Sequence, residues 1–397
     1  EQESEWIDMD VDMNVDLSMD AWLSNIRESL PKVLSASEPV VQLVAGNEAS
    51  DADSIVSALT CAYLYDKGKG VTIPLVMCDR EDVALRRETV LLLEKCGVDA
   101  SKLFFANDAS VQELLAKGLI REVILVDHNK ATGPIAGLDK QVSTIIDHHK
   151  DFGAHAQVVG DARKIAFEGE SALAGCCGTL IAEKFLPGDR DWFLRENGAV
   201  ARAILGIILI DTVNLDAKVN KATARDVAII EALTPMVFAS SDERAALFKE
   251  LSEAKNDPSF WQTLTVEQCL RYDYKCFEFS GKLVGMSSVL CSLEDLAGKS
   301  DWSESLTKWT REVELFGVMT VVRRADKGMA RQLLLASRDA AVSDSAANFV
   351  MAHKSLELQL TGIELSGPLP FKAFEQGNIA ASRKQVAPCI AEFFSSL

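Results

Sequence analysis

Thr144-Ile145-Ile146-Asp147-His148-His149-Lys150-Asp151 decides how this chain reads. Its first three residues are β-branched and favour a strand, because branching at Cβ suits a pleated, half-buried surface. The chain then turns polar at once, with a carboxylate and two adjacent imidazoles. Four of the five histidines (His128, His148, His149 and His155) fall between positions 128 and 155. Imidazole is the commonest metal ligand and titrates near neutrality. Packing accounts poorly for two of them at the mouth of an apolar strand. The plainer alternative is a pair of surface histidines after an edge strand.

The same grammar recurs upstream. A strand expected over 40–45 ends at Gly46 and opens into Asn47-Glu48-Ala49-Ser50-Asp51-Ala52-Asp53-Ser54, a polar turn running into an apolar helix over 55–65. Strands over 71–77, 102–105, 122–126 and 142–146 follow, with helices over 82–96 and 111–117. An amphipathic helix over 16–34 places Trp22, Ile26 and Leu30 at helical spacing. Strands alternating with helices of this length indicate an α/β fold with a doubly wound, mainly parallel sheet. Ligands of such sheets lie beyond the carboxyl ends of the strands. The polar clusters occur there: Asn47 to Asp53, Asp127-His128-Asn129, and Asp147-His148-His149.

From Ser171 the pattern is helical, over 171–185, 198–210, 223–232 and 240–254. The second run ends in Ile207-Ile208-Leu209-Ile210-Asp211-Thr212, another acid directly after an apolar run. Ala174-Gly175-Cys176-Cys177-Gly178-Thr179 reads as tight helix packing by small residues. Asn256-Asp257-Pro258-Ser259 is the strongest linker signal. Beyond it, strands over 282–290, 315–322 and 332–336 mix with helices over 346–360 and 384–394. This predicts an acidic arm over 1–20, a larger domain over 21–257, and a smaller α+β domain over 262–397.

Composition narrows the function classes. An apolar fraction of 48% with 25% charged residues is that of a globular chain. No apolar run reaches the roughly 20 residues that span a bilayer, so no membrane role is expected. The net charge of −18 and the absence of a basic stripe argue against nucleic acid as a partner. That charge is uneven. Residues 1–20 hold eight acids and no Lys or Arg, whereas 15 basic and 16 acidic residues nearly balance from Gln262 onward. Nine cysteines without CxxC spacing, and an opening on acid rather than a basic and apolar leader, predict a reducing, cytoplasmic setting.

The strand-end inventory is Asn47, Asp51, Asp53, Asp127, His148, His149 and Asp211. Carboxylates with one or two imidazoles suit hard divalent cations, Mg²⁺ or Mn²⁺, and no thiol is expected to bias the site toward a softer metal. Clustered acids repel one another unless cations neutralise them. One or two ions are expected, and two would clamp the attacking and leaving oxygens of a phosphoryl displacement. Any single Asp after a strand could equally be a helix cap, as Asp51 or Asp53 alone would be. Their coincidence at four strand or helix ends favours a metal centre. His128, Asn129 and Thr212 are candidates to orient the ligands, as is Asp147, while His155 and His353 read as structural or surface residues.

Asn47-xxx-Asp51-x-Asp53, Asp127-His128-Asn129, Asp147-His148-His149 and the Asp211 segment, in that order, resemble the motifs of the DHH phosphoesterase superfamily. Leu270-Arg271-Tyr272-Asp273-Tyr274-Lys275 and Ser382-Arg383-Lys384-Gln385-Val386-Ala387-Pro388 resemble the phosphate-gripping motifs of one branch. It contains family II inorganic pyrophosphatases, eukaryotic exopolyphosphatases and the prune proteins. The resemblance implies metal ligation by Asp51, Asp53, Asp127, His148 and Asp211, with Asp127 bridging. It implies a phosphate contact for His149, and grip on the substrate by Lys275, Arg383 and Lys384 in a cleft between the domains. Pyrophosphatases of this branch carry His where this chain has Asn47, which is grouped here with the substrate contacts.

The expectation is a metal-dependent exopolyphosphatase that releases orthophosphate from linear inorganic polyphosphate through a metal-activated hydroxide, with Asp127 and His149 as catalytic residues. The alternatives are a pyrophosphatase, a prune-like short-chain polyphosphatase or cyclic-nucleotide phosphodiesterase, and a catalytically idle scaffold.

Overall fold

A computed structural model of the chain describes residues 18–67, 71–324 and 328–396. Most of the arm expected over 1–20 lies outside the described residues. Ser18 caps the first helix, α1 (Met19–Val33), by accepting from the Ala21 amide. The chain divides into two compact units, Glu1–Lys255 and Asn256–Leu397.

In the first unit, β1 (Val41–Ala45), α2 (Ala52–Asp66), β2 (Thr72–Val76), α3 (Arg87–Lys95), β3 (Phe104–Phe105), α4 (Ala109–Ala116), β4 (Ile120–Val126), β5 (Val142–Asp147) and β6 (Arg163–Ile165) follow in order. The six strands form one sheet in the order β3-β2-β1-β4-β5-β6, and every pairing is parallel. The α/β sheet read from the sequence is therefore present and wholly parallel. Its order reverses between β1 and β4, so their carboxyl ends flank the crevice where such sheets bind ligands. Val44 of β1 pairs with Ile124 of β4 and Ala45 with Leu125, which brings the residues after each strand side by side.

Helix α2 is apolar on every side, and all its residues except Tyr65 are buried. It packs on the sheet and against α5 (Cys177–Asp211), which is broken at Arg195–Gly198, where Glu196, Asn197 and Gly198 take positive φ. α6 (Ala224–Val237) and α7 (Ser241–Asn256) complete the helical part. The helix expected over 171–185 starts six residues late. Gly169 takes a positive φ and turns a short hairpin, β7 (Phe167–Glu168) with β8 (Ser171–Ala172), so the chain enters α5 only at Cys177.

The second unit contains α8 (Pro258–Thr263), α9 (Val266–Arg271), β9 (Tyr274–Phe279), β10 (Lys282–Val289), α10 (Leu293–Ala297), α11 (Trp302–Trp309), β11 (Leu315–Thr320), β12 (Val322–Arg324), β13 (Gly328–Ala336), α12 (Ala340–Ala352), β14 (Leu360–Gly362), β15 (Phe371–Gln376) and α13 (Arg383–Ser395). Its sheet runs β14-β15-β13-β11-β10-β9, antiparallel except for β10 with β11. Val284, Met286, Leu333 and Leu335 meet Ala346, Val350, Val386 and Ile390, which buries one sheet face under α12 and α13. β9 was not expected as a strand. Ser280-Gly281, both at positive φ, make the two-residue hairpin turn that pairs it with β10. The helix expected over 346–360 instead spans Ala340–Ala352, because Asp339 caps it by accepting from the Ala341 amide.

Candidate metal centre

Gly46 ends β1 because a Cβ there would stand 2.3 Å from the Ser54 hydroxyl oxygen. That hydroxyl accepts from the Asn47 amide at 2.6 Å and closes the turn. Within the turn, Asn47 Oδ1 accepts from the amides of Ala49 (2.9 Å) and Ser50 (3.3 Å). Its Nδ2 therefore faces outward and donates to Asp127 Oδ2 at 2.6 Å. Asn47, expected among the substrate contacts, has both ends of its amide committed inside the protein.

Asp127 follows β4 directly and sits at φ 62, a left-handed conformation that Asp tolerates better than most residues. Its amide still donates to Ile146 on β5, so the carboxylate is held over the crevice. Asp127 is buried, as are Asn47, Asp53 and His148. Asp51 caps α2 by accepting from the Ser54 amide at 3.0 Å. Asp53, two residues on, accepts from Ser57 Oγ (3.0 Å) and from the amides of Cys177 (2.6 Å) and Gly178 (3.1 Å). The small residues at the start of α5 thus do more than pack tightly: they let a carboxylate reach that helix's first amides.

His148 is oriented by one bond. Its Nδ1 lies 2.8 Å from the Ala174 carbonyl, which can only accept, so Nδ1 carries the hydrogen. Nε2 then faces Asp127 Oδ1 at 3.2 Å and Asp53 Oδ2 at 3.7 Å. A nitrogen between two carboxylates calls for a positive charge among them, either a proton on Nε2 or a cation. Two donors each about 2.1 Å from one ion are roughly 3–4 Å apart, which is the spacing found. His149 turns the other way, with Nδ1 2.8 Å from Asp147 Oδ1 and 3.6 Å from Asp127 Oδ1.

Asp147 is an orienter. Its Oδ1 accepts from the amides of His148 (2.7 Å) and His149 (3.1 Å) and from the His149 ring, and its Oδ2 accepts from Asn129 Nδ2 at 2.6 Å. Burial pushes the Asp147 carboxyl up, but the His149 imidazole and these donors outweigh it and hold the group well below the usual range. Asn129 also donates to Lys150 O and accepts from the Phe152 amide, which fixes the loop after the motif. His155 is buried and accepts from the Ala131 amide, a structural role.

The donors gather in two groups. Asp127, His148 and His149 each offer an atom within 4.8 Å of the others, and so do Asp53, Cys176 and Asp211. Burial, then Asp127, pushes the Asp53 carboxyl up to about 7, and burial, then Asp53, does the same to Asp211. Asp51 adds to both. Two like charges about 4 Å apart cost about 4 kcal/mol at an effective dielectric of 20, whereas a helix cap contributes about 1 kcal/mol. Capping therefore does not account for the cluster. Asp211 also ends α5, where an acid opposes the helix dipole. The donor set fits divalent cations.

Two participants were not found from the sequence. Cys176 places a thiol beside Asp53 and Asp211, a neighbour of the carboxylates that the strand-end inventory did not include. Asp226 is fully buried and accepts from the Gly175 amide (2.9 Å), Thr179 Oγ1 (2.6 Å) and the Thr223 amide and hydroxyl (2.7 Å each). It thereby fixes the segment that presents the Ala174 carbonyl to His148. The Thr223-x-x-Asp226 spacing of a capping box was its only signal.

In the second unit, Lys275 lies on β9 opposite Met286. Arg383 opens α13 and donates to the Asp273 carbonyl (2.5 Å) and carboxylate (2.6 Å) and to the Met286 carbonyl (3.2 Å). Lys384 follows it, exposed, behind the Ser382 cap. Lys275, Arg383 and Lys384 belong to that unit, and the acidic cluster to the first.

The family model "DHH family, N-terminal domain" matches residues 42–212, and "DHHA2 domain" matches 249–393. Exopolyphosphatase PRUNE1 of Bos taurus is 30% identical over 379 residues, 94% of this chain and 80% of that protein. The manganese-dependent inorganic pyrophosphatase of Methanocaldococcus jannaschii is 28% identical over 256 residues, 63% of this chain and 71% of its own. A solved structure described as a family II inorganic pyrophosphatase of Methanococcus jannaschii shares the fold, with a TM-score of 0.58 at 21% identity over 89% of this chain and 99% of that one. These relatives are named as hydrolases of phosphoanhydrides. Both halves of the chain and the order of its acidic motifs agree: it belongs to the DHH phosphoesterase superfamily, in the branch shared by the prune exopolyphosphatases and the manganese-dependent inorganic pyrophosphatases.

Proposed function

We propose that the protein is a metal-dependent exopolyphosphatase that hydrolyses the terminal phosphoanhydride bond of linear polyphosphate and releases orthophosphate. The observation that carries this reading is His148 Nε2, turned by Ala174 O onto Asp127 and Asp53. That arrangement is satisfied when a cation stands among the three groups. Asp127, His148 and Asp53, with Asp51 and Asp211, would hold divalent ions, Mg²⁺ or Mn²⁺. When bound, such ions supply Lewis acidity toward a phosphoryl oxygen and acidify a water.

The chain's own residues do the rest. Asn47 donates to Asp127 and sets the direction of its carboxylate. His149, with Nδ1 bound to Asp147, can present Nε2 to a phosphate oxygen. Lys275, Arg383 and Lys384 are assigned to the remaining phosphates, where Arg suits a bidentate contact and Lys a point charge. For Arg383 this requires an anion to share the guanidinium with Asp273.

Asn47 favours this reading over a pyrophosphatase, because its oxygen is occupied by backbone amides where pyrophosphatases of the branch carry an imidazole. All nine cysteines are free thiols, in keeping with a reducing compartment such as the cytoplasm. Among the described residues no helix is long and apolar enough to cross a membrane. The test is phosphate release with Mn²⁺ from pyrophosphate, tripolyphosphate, long-chain polyphosphate and cyclic AMP. The proposal expects tripolyphosphate and longer chains to be cleaved fastest. Turnover of pyrophosphate alone, or of none, overturns it.

A further inference from the structure

The loop that carries Asp51 and Asp53 is gripped by a buried cation. Arg86 stands between a 3-10 turn (Arg80–Leu85) and α3, and is among the largest fully buried side chains. Burying a guanidinium is costly unless hydrogen bonds replace its water. One arm, Nη1, donates to the Asp82 carbonyl at 3.2 Å, within its own turn. The other, Nη2, reaches across 37 residues of chain and donates to the Ala49 carbonyl.

Ala49 is thereby held at both ends of its backbone. Its amide donates to Asn47 Oδ1 at 2.9 Å, and its carbonyl accepts from Arg86. That amide bond is one of the two that turn Asn47 Nδ2 onto Asp127. Ser50, next in the chain, sits at φ 48, a conformation that costs a non-glycine residue backbone energy. Its hydroxyl keeps it there, accepting from the Cys78 amide (2.9 Å) and donating to the Asn47 carbonyl (3.2 Å). Asp51 then caps α2. A buried arginine that only stitched α3 to the turn before it would need the Asp82 carbonyl and nothing from this loop. The rigid, planar fork of Arg can hold two carbonyls in fixed directions and stays charged throughout, which a lysine does not do.

Resting on the cation-centre reading above, we propose that Arg86 is a positioning residue of the metal centre. Through Ala49 it fixes Asn47, and through Asn47 the direction of the Asp127 carboxylate. Through the course of the loop it fixes where Asp51 and Asp53 enter α2. It touches neither cation nor substrate. The donors are therefore set before a cation arrives, and cation affinity depends on a side chain outside the ligand set.

The test compares the wild-type full chain with Arg86→Lys, which keeps the charge and loses the fork. Both are stripped of metal by a chelator and titrated with Mn²⁺ at a temperature where circular dichroism shows both folded, the free ion being read by electron paramagnetic resonance. Arg86→Lys should bind Mn²⁺ at least about tenfold more weakly, the lower end of what a group that orients metal ligands is worth. In tripolyphosphate hydrolysis its lost kcat should return as Mn²⁺ is raised, with KM at saturating Mn²⁺ within about twofold of wild type. Leu114→Ala, which opens a cavity under α4, should lower Tm and leave Mn²⁺ affinity unchanged. Unchanged affinity in Arg86→Lys, or an equal loss in Leu114→Ala, would overturn the proposal and leave the polyphosphatase reading standing. So would a KM defect that saturating Mn²⁺ does not remove. A wild type that binds no Mn²⁺ at all would overturn both. If Arg86→Lys does not fold, hydrogen exchange in the chelated wild type decides. The amides of the 47–53 loop should then exchange at least about tenfold more slowly than those of an unstructured peptide, and free exchange there would overturn the proposal.

Discussion

At the carboxyl ends of β1, β4 and β5, neighbours hold each side chain of the site in one direction. Asn47 holds Asp127, the α5 amides hold Asp53, Ala174 holds His148, and Asp147 holds His149. The basic motif of the C-terminal unit is built differently. Lys384 is exposed, Lys275 is half-buried on a strand, and Arg383 is held by Asp273. A centre that takes cations must be rigid and is stabilised by them, so its repulsion is tolerated. Cations that meet a variable polyanion need reach more than rigidity. Substitutions in the first region should therefore cost turnover or stability outright, and those in the second should act mainly through KM.

The largest effect expected is on turnover. Asp127→Asn keeps a residue that tolerates the left-handed backbone but loses the charge. It should lower kcat by on the order of 10³-fold or more, with an unchanged far-UV circular dichroism spectrum. Turnover near that of the wild type would mean that Asp127 is not at the reacting centre. Next, Asp226→Ala leaves the Gly175 and Thr223 amides and two hydroxyls without their acceptor. It should cost about 3–5 kcal/mol, read as a lower midpoint in urea, although Asp226 is no metal ligand. A loss within ~0.5 kcal/mol would show that the segment is held by something else.

The pH dependence of the cation-free protein separates the regions further. Asp53 and Asp211 are raised to about 7 in the fold, against about 4 in an unfolded chain. Between those values the folded state binds more protons than the unfolded one. The contribution of these acids to stability is thus fully present at low pH and is lost as pH rises through about 7. The Tm of the chelated protein should be lower at pH 8 than at pH 6, and the rise in Tm on adding Mn²⁺ larger at pH 8. A chelated Tm that climbs over that range would contradict the crowding of these carboxylates. The smallest effect belongs to the basic motif. Lys384→Ala should raise KM for tripolyphosphate by about tenfold, some 1.4 kcal/mol, with Tm unchanged. Arg383→Ala should do the same and also lower Tm, because it releases Asp273.

How much of this was legible follows from sequence separation. The strand ends were visible because β-branched runs break abruptly into Asp, His and Asn, and that contrast is local. Asp147 as orienter was local too, since it bonds the two residues after it. Asn47 with Asp127, Asp53 with Cys177, and Gly175 with Asp226 are contacts across 80, 124 and 51 residues. No local pattern announces them. The hairpin β9–β10 was a different omission. Its Ser280-Gly281 turn and the alternating Phe277 and Phe279 are local signals of a hairpin, overlapped by the motif that contains Lys275.

A cation centre and a purely stabilising network make different demands on the acidic cluster, since only the first takes up metal. Anomalous X-ray diffraction from crystals grown with Mn²⁺, collected at the manganese edge, tests that uptake most directly. A cation centre gives one peak among Asp127, His148 and Asp53 and a second beside Asp53 and Asp211. A map without peaks there, from a protein that hydrolyses tripolyphosphate under the same conditions, would contradict it.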